Sequence, residues 1–318
     1  MNNLSPSVTY DKRFGYIAYG LLLLVIIFST YLHYFQPEIL RVPSNTDVST
    51  WHNPTFEQTL IYDRMSEAER QKIRTEGVTD GNNLSLVLFN DVVMLLLGLI
   101  CYFHARRHFG FWLASCFLIG SFVFTGLQES LWILGGRYLG GSFTNPMGEV
   151  IYGSYWFTRG GLWFIETPVV ACIGWFFIAY TCVLTAGKIF PKMSLLGRAT
   201  AGGLIAMGID LWMDPAVTSP EIMNWVWGKG DFLLFFGIPI YNFMGWFFLI
   251  FCFAILWEKL PQMEKRWGRA KATNRFFLIC FGADFCVMAF ILVSWFVIVG
   301  NLLSLMGVNH GLLIPQGW

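Results

Sequence analysis

The stretch GIDLWMDPAVTSPEIMNWVWGKGDFLLFFGIPIYNFMGW, from Gly208 to Trp246, decides the fold and points to a site. Asp210 and Asp214 stand four residues apart in an apolar helical pattern, so both carboxylates lie on one helix face. The Asp-Pro step is expected to end that helix. After a short Trp-rich turn, a second apolar helix carries Asn242. Because carboxylates are costly inside a membrane-spanning pattern, these two predict a functional site.

Composition assigns the chain to the membrane proteins. Of its 318 residues, 55% are hydrophobic, 18% aromatic and only 13% charged, and the mean hydropathy is +0.55. Soluble domains carry about 25% charged residues. The net charge of +1 gives no indication of a nucleic-acid partner. The seven cysteines lie in apolar segments without a C-x-x-C pair, which favours packing roles over disulfides or zinc.

Apolar runs predict an all-α polytopic membrane protein, with one membrane domain over residues 1–318. Each run is long enough to cross about 30 Å of hydrocarbon. The seven predicted spans are 15–35, 84–103, 109–135, 162–186, 198–217, 231–257 and 275–306. No internal repeat is evident at this stage.

Two segments interrupt the spans. Residues 36–83 are polar and are predicted to form an extracytoplasmic loop, in which MSEAERQKIR is typical of a short surface helix. This loop is either a solvated excursion or a surface for a lid or protein partner. Residues 136–162 are rich in glycine and aromatic residues but not steadily apolar, which predicts a re-entrant or interfacial segment.

Basic residues set the orientation. If the N-terminus is cytoplasmic, the short outer loops carry only Arg137, Arg159 and Lys229. The inner side carries many more, namely Lys12, Arg13, Arg106, Arg107, Lys188, Lys192, Arg198, Lys259, Lys265, Arg266, Arg269, Lys271 and Arg275. The positive-inside rule therefore predicts a cytoplasmic N-terminus and an external C-terminus.

Four predicted spans each place a carboxylate in the middle or outer half of the bilayer: Asp91, Glu129, Glu166 and Asp210. At the bilayer centre an isolated one would cost about 2.5–3.5 kcal/mol on insertion scales. If these carboxylates converge on one polar cavity, this cost is avoided. We therefore expect them to line a common cavity. Simpler interpretations remain for three residues: Asp91 and Glu166 as solvated interfacial groups, and Asp214 as a helix end.

Other polar and aromatic residues refine this prediction. Asn242 lies at about the depth of Asp210 and is a candidate for orienting water. Tryptophans mostly form interfacial belts, but Trp225, Trp227 and Trp246 are candidates for lining the cavity. Asp284, in the seventh span, is expected to pair with a polar partner in the bundle. Intramembrane histidines are too few for a haem or di-iron site, so no metal or other cofactor is predicted.

Within residues 120–250 the chain resembles a known family, the membrane carotenoid 1,2-hydratases, which include the hydratases of bacterioruberin biosynthesis. The similarity is a D-x-x-x-D-P helix end, a W-x-W turn and a G-I-P…N-F…G-W helix. The matching residues are Asp210, Asp214, Pro215, Trp225, Trp227, Gly237, Pro239, Asn242, Phe243, Gly245 and Trp246. A weaker upstream likeness involves Glu129, the segment 136–155, Pro168 and Trp175. The compact G-x-P-F-G-x-Y-x-Y pattern of the family is altered in 142–163.

This resemblance implies an integral protein of a prokaryotic cytoplasmic membrane that acts on a long apolar carotenoid. The implied reaction adds water to the terminal C=C of a linear ψ-end and needs no cofactor. A carboxylic acid protonates the alkene, aromatic faces stabilise the tertiary cation, and a second carboxylate deprotonates the attacking water. Asp210 is the expected acid, with Asp214 or Glu129 as its partner and Asn242 orienting the water.

Two other functions compete with hydration. Intramembrane prenyltransferases hold Mg²⁺ and diphosphate with two D-x-x-x-D motifs, whereas this chain has one convincing motif, and it lacks the basic residues that bind phosphate. The other alternative is a non-catalytic lipid- or carotenoid-binding membrane subunit or a small transporter. A bound but unchanged pigment distinguishes it from a hydratase, which yields a hydroxylated product.

Overall fold

The computed structural model describes the chain in several stretches. They are residues 8–40, 65–76, 84–140, 142–144, 150–152, 155–157, 160–219, 222, 224–227, 234–236 and 238–307. The described chain is mostly helical, as predicted.

The elements follow in chain order. The first are α1 (Val8–Phe35), α2 (Pro37–Leu40), α3 (Glu67–Glu76) and α4 (Leu84–Gly120), a π-helical stretch (Ser121–Gly126), α5 (Leu127–Gly135) and a second π-helical stretch (Gly136–Gly140). Five strands come next: β1 (Ser142–Thr144), β2 (Val150–Tyr152), β3 (Tyr155–Phe157), β4 (Trp163–Phe164) and β5 (Thr167–Pro168). The remainder is α6 (Val169–Ile189), α7 (Leu195–Val217), β6 (Trp225–Trp227), β7 (Leu234–Phe235), β8 (Ile238–Pro239), α8 (Ile240–Trp267), α9 (Arg269–Ile291), a π-helical stretch (Leu292–Val299) and α10 (Gly300–Leu305).

In the described part of the chain, five helical segments are long and apolar enough to cross a membrane. They are Tyr16–Phe35, Leu88–Tyr138, Val169–Ile189, Ile240–Trp267 and Arg269–Leu305. The second has 51 residues, about 76 Å at 1.5 Å per residue, more than twice the thickness of the hydrocarbon. Gly110 interrupts it with φ 83° and ψ 168°, at the start of the predicted third span, 109–135. Helix α7, which covers the predicted fifth span at 198–217, is not among these five segments. The number of seven spans therefore stays a prediction.

Short strands occupy the regions outside the long helices. The predicted re-entrant or interfacial segment, 136–162, begins with the second π-helical stretch and contains β1 and β2, which pair antiparallel, and β3, which pairs with β6. The re-entrant or interfacial position of this segment stays a prediction. Of the predicted loop at 36–83, the structure describes α2, residues 65–66 and α3. The predicted surface helix is confirmed as α3, and Ser66 and Glu69 form a capping box at its start.

The structure shows an internal correspondence between two parts of the chain, contrary to the expectation that it contains no repeat. Hairpins β4–β5 and β7–β8 have the same two-residue register, and each leads through a proline into a long helix. Both also hold a non-glycine residue at positive φ, Ile165 at 56° and Phe236 at 50°. Equivalent positions are 71 residues apart, as in Pro168 and Pro239, or Trp175 and Trp246. Two helix–hairpin–helix units therefore make up the centre of the molecule.

Packing between these units is aromatic and close. Phe117 meets Phe253 edge to face, with ring centroids 4.8 Å apart. On α7, a Cβ built on Gly203 would lie 2.8 Å from the backbone oxygen of Phe247, so only glycine permits this approach to α8. All seven cysteines are free, and five of them are buried, which agrees with their predicted packing role.

Candidate active site

Asp210 and Asp214 form the centre of the site. Both are buried on α7, one helical turn apart. Asn242, in the first turn of α8, donates from Nδ2 to Oδ2 of Asp210 at 2.9 Å and to Oδ2 of Asp214 at 2.7 Å. One amide nitrogen therefore holds the two carboxyl groups next to each other.

The helix containing this pair does not stop at the Asp-Pro step as predicted. It continues past Pro215 to Val217. Thr218 then donates from its backbone N and its hydroxyl to the carbonyl oxygen of Asp214, at 3.0 and 2.8 Å. The cap therefore lies one turn after Asp214, and the side chain of Asp214 is left to bond with Asn242.

Glu129 supplies the third carboxyl group from α5. The hydroxyl of Tyr155 donates to its Oε2 at 3.0 Å. Glu129 lies within electrostatic reach of Asp214. Three of the predicted site carboxylates are thus close together, and they come from both helix–hairpin–helix units.

A small cavity of about 40 Å³ borders this cluster. Since one water needs about 10–15 Å³ measured in this way, the cavity has room for a few water molecules. Its polar lining is Gln128, Glu129 and Asn242. Its other walls are aromatic or apolar, formed by Trp132, Trp227, Tyr241, Gly245, Trp246, Leu249, Val287 and Ile291. The Asp pair stands behind Asn242, outside this lining.

The β3–β6 pairing explains how aromatic side chains reach the cavity. Tyr155 is opposite Trp227 in the ladder, and their rings stack with centroids 4.2 Å apart. Trp246 packs on Trp175 at 4.1 Å. Trp227 and Trp246 line the cavity, whereas Trp225 does not and instead meets Phe157 edge to face at 5.6 Å.

Two predicted site residues lie elsewhere, so convergence of all the carboxylates on one cavity is wrong. Glu166 is buried in the turn between β4 and β5 and faces a different cavity, with Arg137 and His33 beside it. A hairpin, which the apolar pattern of residues 162–186 did not indicate, turns it away. Asp91 is half-buried on α4 and lines neither cavity.

Asp284 also departs from expectation. It is fully buried on α9, yet neither carboxyl oxygen has a hydrogen-bond partner among the described residues. The predicted polar partner is therefore not found in that part of the chain.

Sequence reasoning missed Tyr155, which bonds Glu129, and gave Trp175 no role beyond a weak likeness. The 71-residue correspondence was the available signal. It aligns Trp156 with Trp227 and Trp175 with Trp246, and thus marks both aromatic turns as parts of one centre.

Fold and site together define a polytopic helical membrane protein with a buried carboxyl cluster beside an aromatic cavity. The model of the carotenoid biosynthesis protein family matches residues 89–310, well over half of the chain. The chain belongs to this family, and all three clustered carboxylates fall within the match. No curated protein and no solved structure matches the chain significantly.

Proposed function

We propose that this protein is a membrane hydratase that adds water to the terminal C=C of a linear carotenoid ψ-end. Family membership supports a biosynthetic role on carotenoids. One observation carries the reaction class: Asp210, Asp214 and Glu129 form a cluster of carboxyl groups, and Glu129 and Asn242 connect this cluster to a cavity sized for water and walled by aromatic rings.

Hydration requires an acid that still holds its proton in the resting enzyme. Burial and a neighbouring carboxylate both favour the neutral form of a carboxyl group. Asp210 and Asp214 are both buried and bond the same amide nitrogen, an arrangement compatible with one proton held by the pair. We assign Asp210 as the acid and Asp214 as its partner, as the family resemblance implies.

The reaction then proceeds in two steps. Protonation of the CH carbon breaks the π bond and leaves a tertiary cation, beside the faces of Trp227 and Trp246. Water from the cavity forms the new C–O bond, and Glu129 or the Asp carboxylate accepts the released proton. Asn242, which lines the cavity and bonds both aspartates, orients the water. The net change is one water gained per ψ-end.

One feature of the geometry makes the acid assignment testable. Glu129 lines the cavity directly, whereas Asp210 and Asp214 are not part of its lining and bond the amide of Asn242, which is. If Asp210 is the acid, the alkene has to displace the Asn242 amide. If Glu129 is the acid, the substrate meets it without such a movement.

The experiment is pigment mass analysis after expression of the full chain in a lycopene-producing host. We expect a gain of one water per ψ-end. Asp210→Asn should abolish the product, and Glu129→Gln should slow its formation; the reverse ranking transfers the acid role to Glu129. Asp284→Asn is the matched control, because Asp284 is a buried carboxyl group outside the cluster. Full hydration by both Asp210→Asn and Glu129→Gln rejects the mechanism.

The small volume of the cavity is the reason to test a second function, non-catalytic binding of a carotenoid. At about 40 Å³, the cavity holds water but not the end of a carotenoid without side-chain movement. Recovery of unchanged lycopene bound to the protein, with no hydrated pigment in the host, favours the binding role over the hydratase.

A further inference from the structure

A second polar centre lies on the other side of α5, where Glu166 meets Arg137 and His33. Nη1 of Arg137 is 2.7 Å from Oε2 of Glu166, and both side chains are at most 3% exposed. Nε2 of His33 lies 2.8 Å from the carbonyl oxygen of Ile165, and the imidazole stacks on Trp163 at 3.9 Å. The carboxylate is therefore fixed in place and its charge is balanced by the guanidinium.

Glu166 has an unused acceptor beside a large cavity. Both of its carboxylate oxygens are buried without a hydrogen-bond partner among the described residues, and Oε2 is held in the ion pair with Arg137, which leaves Oε1 as the free acceptor. The residue lines a groove of about 370 Å³, within the range of about 300–1,000 Å³ for small-molecule sites. All other lining residues except Ser29 are apolar: Leu24, Val25, Phe28, Leu32, Leu40, Leu134 and Ile165.

The charges around the groove select the kind of ligand. A buried carboxylate oxygen without a partner is unfavourable, and a ligand that donates a hydrogen bond to it removes this penalty. Since Arg137 already neutralises Glu166, a ligand cation would meet the guanidinium and a ligand anion would meet the carboxylate. A neutral hydroxyl group at the end of an apolar chain satisfies both the acceptor and the walls.

We propose that this groove binds a long-chain isoprenoid alcohol, whose apolar end lies along α1 and whose hydroxyl group donates to Oε1 of Glu166. The identification of this alcohol with a hydrated carotenoid end rests on the proposed function. The two centres are adjacent: Ser130, the residue after Glu129, accepts at Oγ a hydrogen bond of 3.2 Å from the backbone N of Glu166. The groove thus holds a hydrated end close to where hydration occurs.

The test is a binding experiment on the purified full chain in lipid nanodiscs, in the Asp210→Asn background so that no turnover intervenes. The probes are lycopene and its singly hydrated derivative, quantified by the pigment that co-elutes with the protein. We expect the alcohol to be retained about tenfold more tightly or better, as for a hydrogen bond to a charged group. Equal retention of the two pigments overturns the proposal.

Two variants locate the binding. Leu134→Trp fills the groove and should remove the preference for the alcohol. Leu278→Trp is the matched control, because Leu278 is 69% exposed on α9 and lies outside the groove. Identical binding by these two variants contradicts the proposed location.

A third variant addresses Glu166 itself. Glu166→Gln with Arg137→Gln keeps the pair neutral and similar in size, and it should lower the preference by weakening the acceptor. Should phosphatidylethanolamine in the nanodisc displace the alcohol, the groove is a phospholipid site and the proposal fails. Because binding is measured without turnover, a failure here is distinguishable from the absence of hydrated pigment in the host.

Discussion

At the scale of single residues, Tyr155 connects the two parts of the site. Its hydroxyl bonds Glu129, its ring stacks on Trp227, and it lies within electrostatic reach of Asp210 and Asp214. Glu129 therefore has a fixed orientation at the edge of the cavity. A phenol that donates to a buried carboxyl group both positions that group and stabilises its charge.

Tyr155→Phe removes this hydrogen bond while keeping the stacked ring. Loss of a hydrogen bond to a charged buried group amounts to about 1.5–3 kcal/mol, so we expect hydration to slow roughly 10- to 150-fold. The measurement is the initial rate of hydrated pigment formation in membranes. Tyr16→Phe, on the exposed face of α1, serves as the control. An unchanged rate in Tyr155→Phe would show that Glu129 needs no such positioning.

These residues show which parts of the site could be predicted from the sequence and which could not. Asp210, Asp214 and Asn242 were predictable because helical spacing and the price of burying charge both act locally along the chain. Tyr155 was not, because its contact with Glu129 depends on strand pairing between residues 68 to 72 positions apart. Glu166 was misplaced for a related reason: a two-residue hairpin inside an apolar run has no period that distinguishes it from a helix start.

At the scale of secondary elements, the packing of α7 on α8 holds Asp210 and Asp214 against Asn242. Gly203 allows their close approach, since any Cβ there would meet both the ring and the backbone oxygen of Phe247 at 2.8 Å. Glycine has a different role at Gly208 on the same helix, where a Cβ would have open space. Small residues at helix interfaces are a general device of membrane proteins.

Gly203→Ala should therefore separate α7 from α8, lower thermal stability and reduce hydration, since Asn242 would no longer reach both aspartates. Gly208→Ala provides a control with the same chemical change in the same helix. It should keep or slightly raise stability, because alanine is favoured over glycine in helices by about 1 kcal/mol. Melting of the purified variants, followed by circular dichroism, provides the comparison. Equal melting temperatures for the two would mean that the helix contact is less close than described.

At the scale of the whole molecule, the site lies where two similar helix–hairpin–helix units meet. Glu129, Tyr155 and Trp175 come from the first unit, and the Asp pair, Asn242, Trp227 and Trp246 come from the second. Only the second unit carries an asparagine at the start of its long helix; the equivalent position in the first is Ala171. The two units therefore contribute different side chains to the site, although their hairpins are alike.

The arrangement of these units also bears on orientation in the membrane. Both hairpins precede long helices that end in basic segments, with Lys188 at the end of α6 and Lys265 and Arg266 at the end of α8. Two units in the same orientation place both hairpins, and thus the site, on the same side. The positive-inside rule predicts that this side is external, and we expect a cytoplasmic N-terminus.

Reporter fusions test this orientation directly. A fluorescent protein that matures only in the cytoplasm should be bright when joined before Met1 or between Lys192 and Ser194, and dark when inserted after Glu76. Alkaline phosphatase, active only outside the cytoplasmic membrane, should give the opposite pattern. Replacing Arg106, Arg107, Lys188 and Lys192 with glutamine should weaken the bias, because it removes inner charges close to the spans. A bright fusion after Glu76 would place the hairpins inside and require that the substrate reach the site from the cytoplasmic leaflet.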